Sequence, residues 1–315
     1  MIGYIARRLL AMVPLVGLIS CLVFSMTFLI PGDPARTLAG GLHASPDQVV
    51  LVRQQLGLNH SVPNQYWHWL THALSGNLGN SLFSHLSVAA EIRHRFPVTF
   101  SMAIGALVVI LVLGIPAGIA AGTRPGGVVD RLVTLGTSTA IAVPDFWLGI
   151  MFVIVFAVKL KVLPAIGYVG FTRSPVAWAT HLYLPWLALG IGGAAPVARQ
   201  LRGALVDVLD QDYIRTAESM GAPRWLVVVK HALKNAAIAP LTIIGIQFAY
   251  LLGGTVILEY IFSIPGMGLY FFDALNGKDL PVIQGVTMVV ALTFVLLNLG
   301  VDVLYAYINP KVRVA

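Results

Sequence analysis

The chain has 315 residues and a formal charge of +7, yet only 10% of its residues are charged and 57% are hydrophobic. A globular chain carries roughly 25% charged and about 45–50% apolar residues. With a mean hydropathy of +0.84, the composition excludes a soluble fold, and with it a nuclease, a DNA-binding protein or a cytosolic dehydrogenase. In a membrane protein the basic excess belongs on cytoplasmic loops.

A crossing of roughly 30 Å of hydrocarbon takes about 20 mostly apolar residues. Six stretches meet this need, near residues 9–30, 98–121, 132–158, 182–197, 236–258 and 281–308. The expected fold class is therefore all-α, a polytopic membrane protein with six transmembrane helices. The fourth stretch is the shortest and holds Pro185, Gly190, Gly192, Gly193 and Pro196. In the first, Arg7 and Arg8 before an apolar run look like a secretory signal, and Leu18-Ile19-Ser20-Cys21 looks like a lipoprotein cleavage box. The run continues through Phe24, Phe28 and Ile30, so it is expected to remain as a span. Cys21 is the single cysteine, which excludes an intrachain disulfide.

Residues 31–97 form a long segment after the first span. Ser45-Pro46-Asp47-Gln48 has the pattern of a capped helix start: serine at the cap, proline in the first turn and a glutamine closing a capping box. Val49, Val52 and Leu56 then share a face, and Gly57 can end the helix. A second helix is expected over 64–75, closed by Gly76, with Tyr66, Trp69, Leu70 and Ala73 on one side. Trp67 and Trp69 suit a membrane interface. The segment is either an extracytoplasmic cap that meets substrate or a delivery protein, or an ordered loop on the bilayer.

Further along, Gly114, Gly118 and Gly122 recur every four residues, and Gly245, Ala249 and Gly253 repeat a weaker version. Such spacing lets helix backbones approach closely. Asp145 follows Pro144 near the middle of the third stretch. Acids within spans are functional candidates by default; the readings are a transport path, a structural ion pair or a neutral buried acid. Gln247 and Asn298 are further path candidates, or hydrogen-bond between helices. Asp302 suits an inner gate or packing, and Glu259 a solvated helix end. His68 and His72 share an i, i+4 spacing, but no third ligand is evident, so no metal site is expected.

The loop over 199–235 is the longest on its side. Asp210 can cap a helix through Tyr213, Ile214, Ala217 and Met220; Gly221 ends it and Pro223 starts another. Trp225, Leu226, Val228, Val229 and Leu233 continue an apolar pattern. Such a rigid basic projection suits docking into a partner's groove, self-packing as a hairpin, or attraction to anionic lipid. With the N-terminus inside, twelve Lys and Arg lie on the inner side against four in short outer loops, and six of the twelve fall between Arg199 and Lys234. The positive-inside rule then places both termini in the cytoplasm.

Asp212-Tyr213-Ile214-Arg215-Thr216-Ala217, then Gly221, then His231-Ala232-Leu233-Lys234-Asn235-Ala236, resembles the ATPase-coupling loop of ABC importer permeases of the dipeptide, oligopeptide and nickel branch. The chain keeps Ala217, Gly221 and Leu233 of the general Glu-Ala-Ala loop motif and carries Arg215, Thr216, His231 and Lys234 at other motif positions. The resemblance extends to Pro31-Gly32-Asp33-Pro34, Leu56-Gly57-Leu58, Gly76-Asn77-Leu78-Gly79-Asn80-Ser81, Leu163-Pro164-Ala165-Ile166-Gly167-Tyr168, Ile264-Pro265-Gly266-Met267-Gly268 and Asn309-Pro310-Lys311-Val312-Arg313. Pro144-Asp145-Phe146-Trp147 fits the family's Pro-x-Phe-Trp, in which x is not typically acidic.

The resemblance implies a single type I importer permease domain over 1–315 in a bacterial or archaeal inner membrane, and the B-type subunit of a pair. It implies four partners of three kinds: a second homologous permease, two cytoplasmic ABC ATPases and an extracytoplasmic substrate-binding protein. Coupling would run through Asp212, Tyr213, Arg215, Thr216, Ala217, Gly221, His231 and Leu233. The chain has no Gly-x4-Gly-Lys-Ser/Thr loop, so ATP and Mg are expected on the partner ATPases and no cofactor on this chain. The family's cargo includes dipeptides, longer peptides, glutathione-like molecules and nickel chelates. A secondary transporter would instead show matched repeats with broken helices, and no clear repeat relates residues 1–158 to 159–315. A membrane enzyme would need a nucleophile–base pair or metal cluster, which the sequence does not display.

Overall fold

The computed structural model describes residues 2–29, 35, 45–55 and 59–308. Within them the chain is helical, with one isolated bridge between Asn80 and Ser87 and no strand. Gly57, Pro31 to Pro34, Leu56 to Leu58 and Asn309 to Arg313 lie outside the described residues, as does the side chain of Val52.

Helix α1 (Ile2–Leu29) is followed by α2 (Pro46–Gln55) and α3 (Val62–Leu74). The expected capping box is present: Ser45 Oγ accepts from Gln48 N at 3.3 Å, and Gln48 Oε1 accepts from Ser45 N at 3.1 Å. Helix α3 begins two residues before the expected start, because Pro63 fits the first turn. Tyr66, Trp69, Leu70 and Ala73 are half-buried, as is Gln65, while Trp67 is 64% exposed. Its inner face lies on α1: the ring of Phe24 is 5.5 Å from Tyr66 and 5.9 Å from Trp69, and the hydroxyls of Ser20 and Tyr66 are 2.7 Å apart.

The core is the pairing of α4 (Val88–Gly122) with α7 (Pro175–Leu209), each 35 residues long. The glycine repeat explains it. A Cβ on Gly114 would lie 2.9 Å from Ala194 O, one on Gly118 2.9 Å from Ala198 O, and one on Gly122 2.8 Å from Leu205 Cβ. Only hydrogen fits at these three contacts, so the two backbones meet directly. The fourth expected span, 182–197, is thus the middle of a longer continuous helix. Pro185 and Pro196 interrupt hydrogen bonds but not the helix, because both sit among packed neighbours.

The expected stretches differ in how plainly they read as crossings. By length and apolarity, four helices among the described residues can span a bilayer alone: Arg7–Phe28 in α1, α4, α10 (Ile238–Ile261) and Leu280–Val303 in α12 (Leu280–Ile308). Helix α7 is not among them, because His181, Tyr183, Pro185, Gly190, Gly192, Gly193 and Pro196 dilute its leucines. The third stretch is not one straight span. It consists of α5 (Val128–Ala142) and α6 (Asp145–Lys159), bent by 96° at the break; counted as one, they bring the crossings to five. Pro144 accounts for the break. It has no amide hydrogen and forces Val143 into extended backbone, φ −92° and ψ 123°.

The remaining elements are α8 (Asp212–Ser219), α9 (residues 224–236, π-helical over Val227–Ala232) and α11 (Met267–Gly277). Glu259 is not solvated as its position near a helix end suggested. It is fully buried, accepts from Thr99 Oγ1 at 2.7 Å and from Leu269 N at 3.0 Å, and so joins α10 to α4 and α11. Asp279 likewise accepts from Ser81 Oγ at 2.6 Å and ties the segment before α4 to the start of α12.

Candidate functional site

The break between α5 and α6 opens a cavity of about 450 Å³, bounded also by α7 and α10. A volume of this size suits a small organic ligand. Its wall is mostly apolar, with Phe146, Leu189, Leu251 and Ile257, and Tyr250 adds an aromatic ring with a hydroxyl. Two of the three expected path residues meet here. Asp145, the first residue of α6, and Gln247 of α10 both line it.

Consecutive glycines of α7 make room for them. A Cβ on Gly192 would stand 2.5 Å from Asp145 Oδ1, and one on Gly193 would stand 3.0 Å from Gln247 Nε2. Gln247 Nε2 donates to Gly193 O at 3.2 Å, a hydrogen bond between helices. Asp145 is half-buried and forms no ion pair or hydrogen bond within the described residues. Asn298, the third expected residue, is elsewhere: it is half-buried, and its Nδ2 donates to Phe294 O in its own helix at 3.1 Å. Tyr250 and the Gly192-Gly193 pair were not foreseen as a site. The glycines were visible in the sequence, but only as breaks in an apolar run.

The weaker small-residue repeat divides between packing and the cavity. Gly245 faces Val301 of α12, where a Cβ would come within 2.7 Å, and Ala249 is buried. Gly253 lines the cavity, and a Cβ there would meet nothing within 4 Å.

A second site lies at the far end of α7. Helix α8 ends at Met220, and Gly221 has φ +81°, the left-handed conformation that glycine adopts without strain. Asp210 does not cap α8 as expected. It closes α7, and its carboxylate accepts from Arg215 Nη2 at 2.8 Å, while Gln211 occupies the cap position of α8. This pairing holds the Arg215 guanidinium more firmly protonated than usual.

Ile214 and Ala217 of α8 are buried with Val227, Ala232 and Ala236 of α9 on Leu201 and Leu205 of α7; Ile115 and Ile119 of α4 pack against the same cluster. Leu233 adds to it, and His231 is half-buried. Asp212, Tyr213, Arg215, Thr216 and Gly221 are exposed. So the eight expected coupling residues divide into an outward face and an inward anchor, Ala217, Leu233 and His231. The outward face also presents Met220, Trp225 and Val229, which are 78%, 68% and 59% exposed. Arg224 braces the turn, donating to Glu218 Oε1 at 2.9 Å and to Thr123 O at 3.3 Å.

Other expected residues have plain structural contacts. Asp302 pairs with Arg8 of α1 at 2.8 Å. The His68 and His72 rings lie 4.3 Å apart, and the described residues hold no group of three or more His, Cys, Asp or Glu placed to share a metal.

Comparison with known proteins adds a separate line. Residues 114–314 match the family described as binding-protein-dependent transport system inner membrane component, and residues 1–103 match the N-terminal region described for such membrane components. The chain is 41% identical over 313 residues to the glutathione transport system permease protein GsiC of Escherichia coli (strain K12), covering 99% of each. It is 36% identical over 310 residues to a probable peptide ABC transporter permease protein, y4tP, of Sinorhizobium fredii, covering 98% of this chain and 99% of that one. In structure it resembles an inward-facing conformation of the MetNI methionine ABC transporter, with TM-score 0.57 and 19% identity over 69% of this chain and 96% of that one.

Proposed function

This chain belongs to the binding-protein-dependent transport system inner membrane component family, and on that premise we propose how its two sites work. The chain is a multi-pass permease subunit of an ABC importer that acts with a binding protein. We assign it a peptide or a similar small solute as cargo, which the names of its relatives support.

The whole chain acts as one membrane domain, with residues 31–97 outside and residues 199–235 as the cytoplasmic coupling loop. It crosses six times, α7 being the crossing that apolarity alone does not reveal. It pairs with a second, similar permease. Two cytoplasmic ATPases bind and hydrolyse ATP with Mg, and an extracytoplasmic protein delivers the cargo. The cavity at Asp145 and Gln247 forms part of the path on this half of the pair.

The observation that carries the coupling reading is the construction of the loop around Gly221. Its outer face presents Tyr213, Met220, Trp225 and Val229 to solvent, while its inner face is sealed onto α7 and α4. A partner that holds the outer face therefore moves α7. Gly193 is about 18 Å along α7 from Leu205, at 1.5 Å per residue, so the same rigid helix joins the ATPase face to the cavity. ATP and cargo are coupled only if they favour different arrangements of that helix.

Replacing Gly221 tests this. A Cβ at Gly221 meets nothing within 4 Å, so Gly221→Asp leaves packing intact and strains only the left-handed turn, at about 1 kcal/mol. The variant should insert normally and lose ATP-driven uptake in proteoliposomes. Normal uptake with ATPases still co-purifying would show that coupling does not pass through this loop.

A further inference from the structure

We propose that Asp145 makes the cavity a subsite for a cationic group of the cargo, an ammonium or guanidinium, and selects against cargo of net negative charge. The inference rests on the importer reading above and adds the charge class of what passes. Asp145 is the single Asp, Glu, Lys, Arg or His among the residues that line the cavity. Gln247 is neutral, and its amide nitrogen is engaged by Gly193 O. Nothing in the lining offers a positive charge to a carboxylate or phosphate. The Asp145 carboxylate has no cation or donor within the described residues, and a carboxylate beside an apolar wall is costly until a cation arrives.

The local fold keeps this carboxylate at the cavity. Pro144 turns the chain by 96° just before it, and Gly192 leaves the space that its oxygen occupies. A side chain larger than hydrogen at Gly192 would displace it. The amino terminus of a free peptide, or the side chain of a lysine or arginine within one, supplies the missing charge.

The test uses the complete complex in proteoliposomes and has two arms. In the first, Cys21→Ser removes the single native cysteine, and Gly253→Cys places a thiol on the open cavity wall. Its modification is timed with a trimethylammonium methanethiosulfonate and with a sulfonate one. With Asp145 present, the cationic reagent should be favoured over the anionic by about tenfold, and Asp145→Asn should remove that preference, as expected for one charge at close range in a partly desolvated site. An unchanged rate ratio in Asp145→Asn overturns the proposal, including the case in which a cation of the second permease already neutralises Asp145.

In the second arm, ATP-driven uptake of Ala-Ala-Lys is compared with that of N-acetyl-Ala-Ala-Ala. The ratio between the two peptides in Asp145→Asn is divided by that in the unmodified complex, which cancels any preference of the binding protein. The ratio should fall about tenfold and be restored by Asp145→Glu; equal ratios count against the proposal. The arms fail independently: thiol selectivity without ATP-driven uptake of any peptide leaves the cation subsite standing and removes the peptide-importer reading.

Discussion

Glu259 shows how one buried side chain organises its neighbours. Its oxygens accept from Thr99 and Leu269, and Thr99 Oγ1 in turn accepts from Met267 N at 2.8 Å. A Cβ on Gly268 would lie 2.9 Å from Glu259 Oε2, so the first turn of α11 closes around the carboxylate. Glu259→Ala orphans a hydroxyl and an amide hydrogen in a dry site, each worth about 1–3 kcal/mol. The expected loss is roughly 2–6 kcal/mol, read as a fall in the thermal midpoint of the purified complex. Glu259→Gln, which retains one acceptor, should lose less. Equal midpoints for all three proteins would show that the network does not support the fold. Asp145 is the contrasting case: a carboxylate that faces a cavity and has no partner among the described residues.

At the scale of elements, the contact between α4 and α7 depends on which glycines face inward. Gly118 lies against the backbone of α7, whereas a Cβ on Gly203 would meet nothing within 4 Å. Gly118→Ala should therefore destabilise, by about 1–3 kcal/mol as overpacking does. Gly203→Ala should stabilise slightly, by up to about 1 kcal/mol, because alanine favours the helix. Thermal unfolding of the two variants in the same detergent decides it; changes of the same sign would mean that helix propensity outweighs packing here. The repeat at Gly114, Gly118 and Gly122 was legible as a packing mark, but its partner was not. The partner is a proline-containing helix that apolarity alone does not mark as a span, because its prolines, glycines and polar residues dilute its leucines.

For the whole molecule, the charge asymmetry predicts which side each loop faces. In a Cys21→Ser background, Met220→Cys should react with an impermeant thiol reagent only from the cytoplasmic side and Trp67→Cys only from outside. Both positions are well exposed, at 78% and 64%, so access to reagent rather than burial sets the result. The reverse pattern would invert the assigned orientation and remove the coupling loop from the cytoplasm. The same arrangement makes α7 the common member of both sites. Its Gly192 and Gly193 border the cavity, and its Leu201 and Leu205 anchor the proposed coupling loop.

Several features were determined by the sequence alone, because they depend on near neighbours or on composition. The membrane class follows from too few charges to cover a soluble surface. The capping box at Ser45, the helix stop at Gly221 and the half-buried face of α3 follow from spacing within a turn or two, and the structure repeats them. The family was legible in motifs along nearly the whole length. Tertiary structure decided the rest, because long-range contacts have no local signature. It bent the third stretch by 96° at Pro144, buried Glu259 where a helix end suggested solvent, and left Asn298 away from the cavity. It also brought Asp145 and Gln247 together from residues about a hundred positions apart, with consecutive glycines of a third helix leaving space for both. An acid after a proline can be read from the chain; whether it meets a partner, a lipid or an open cavity depends on which helices surround it.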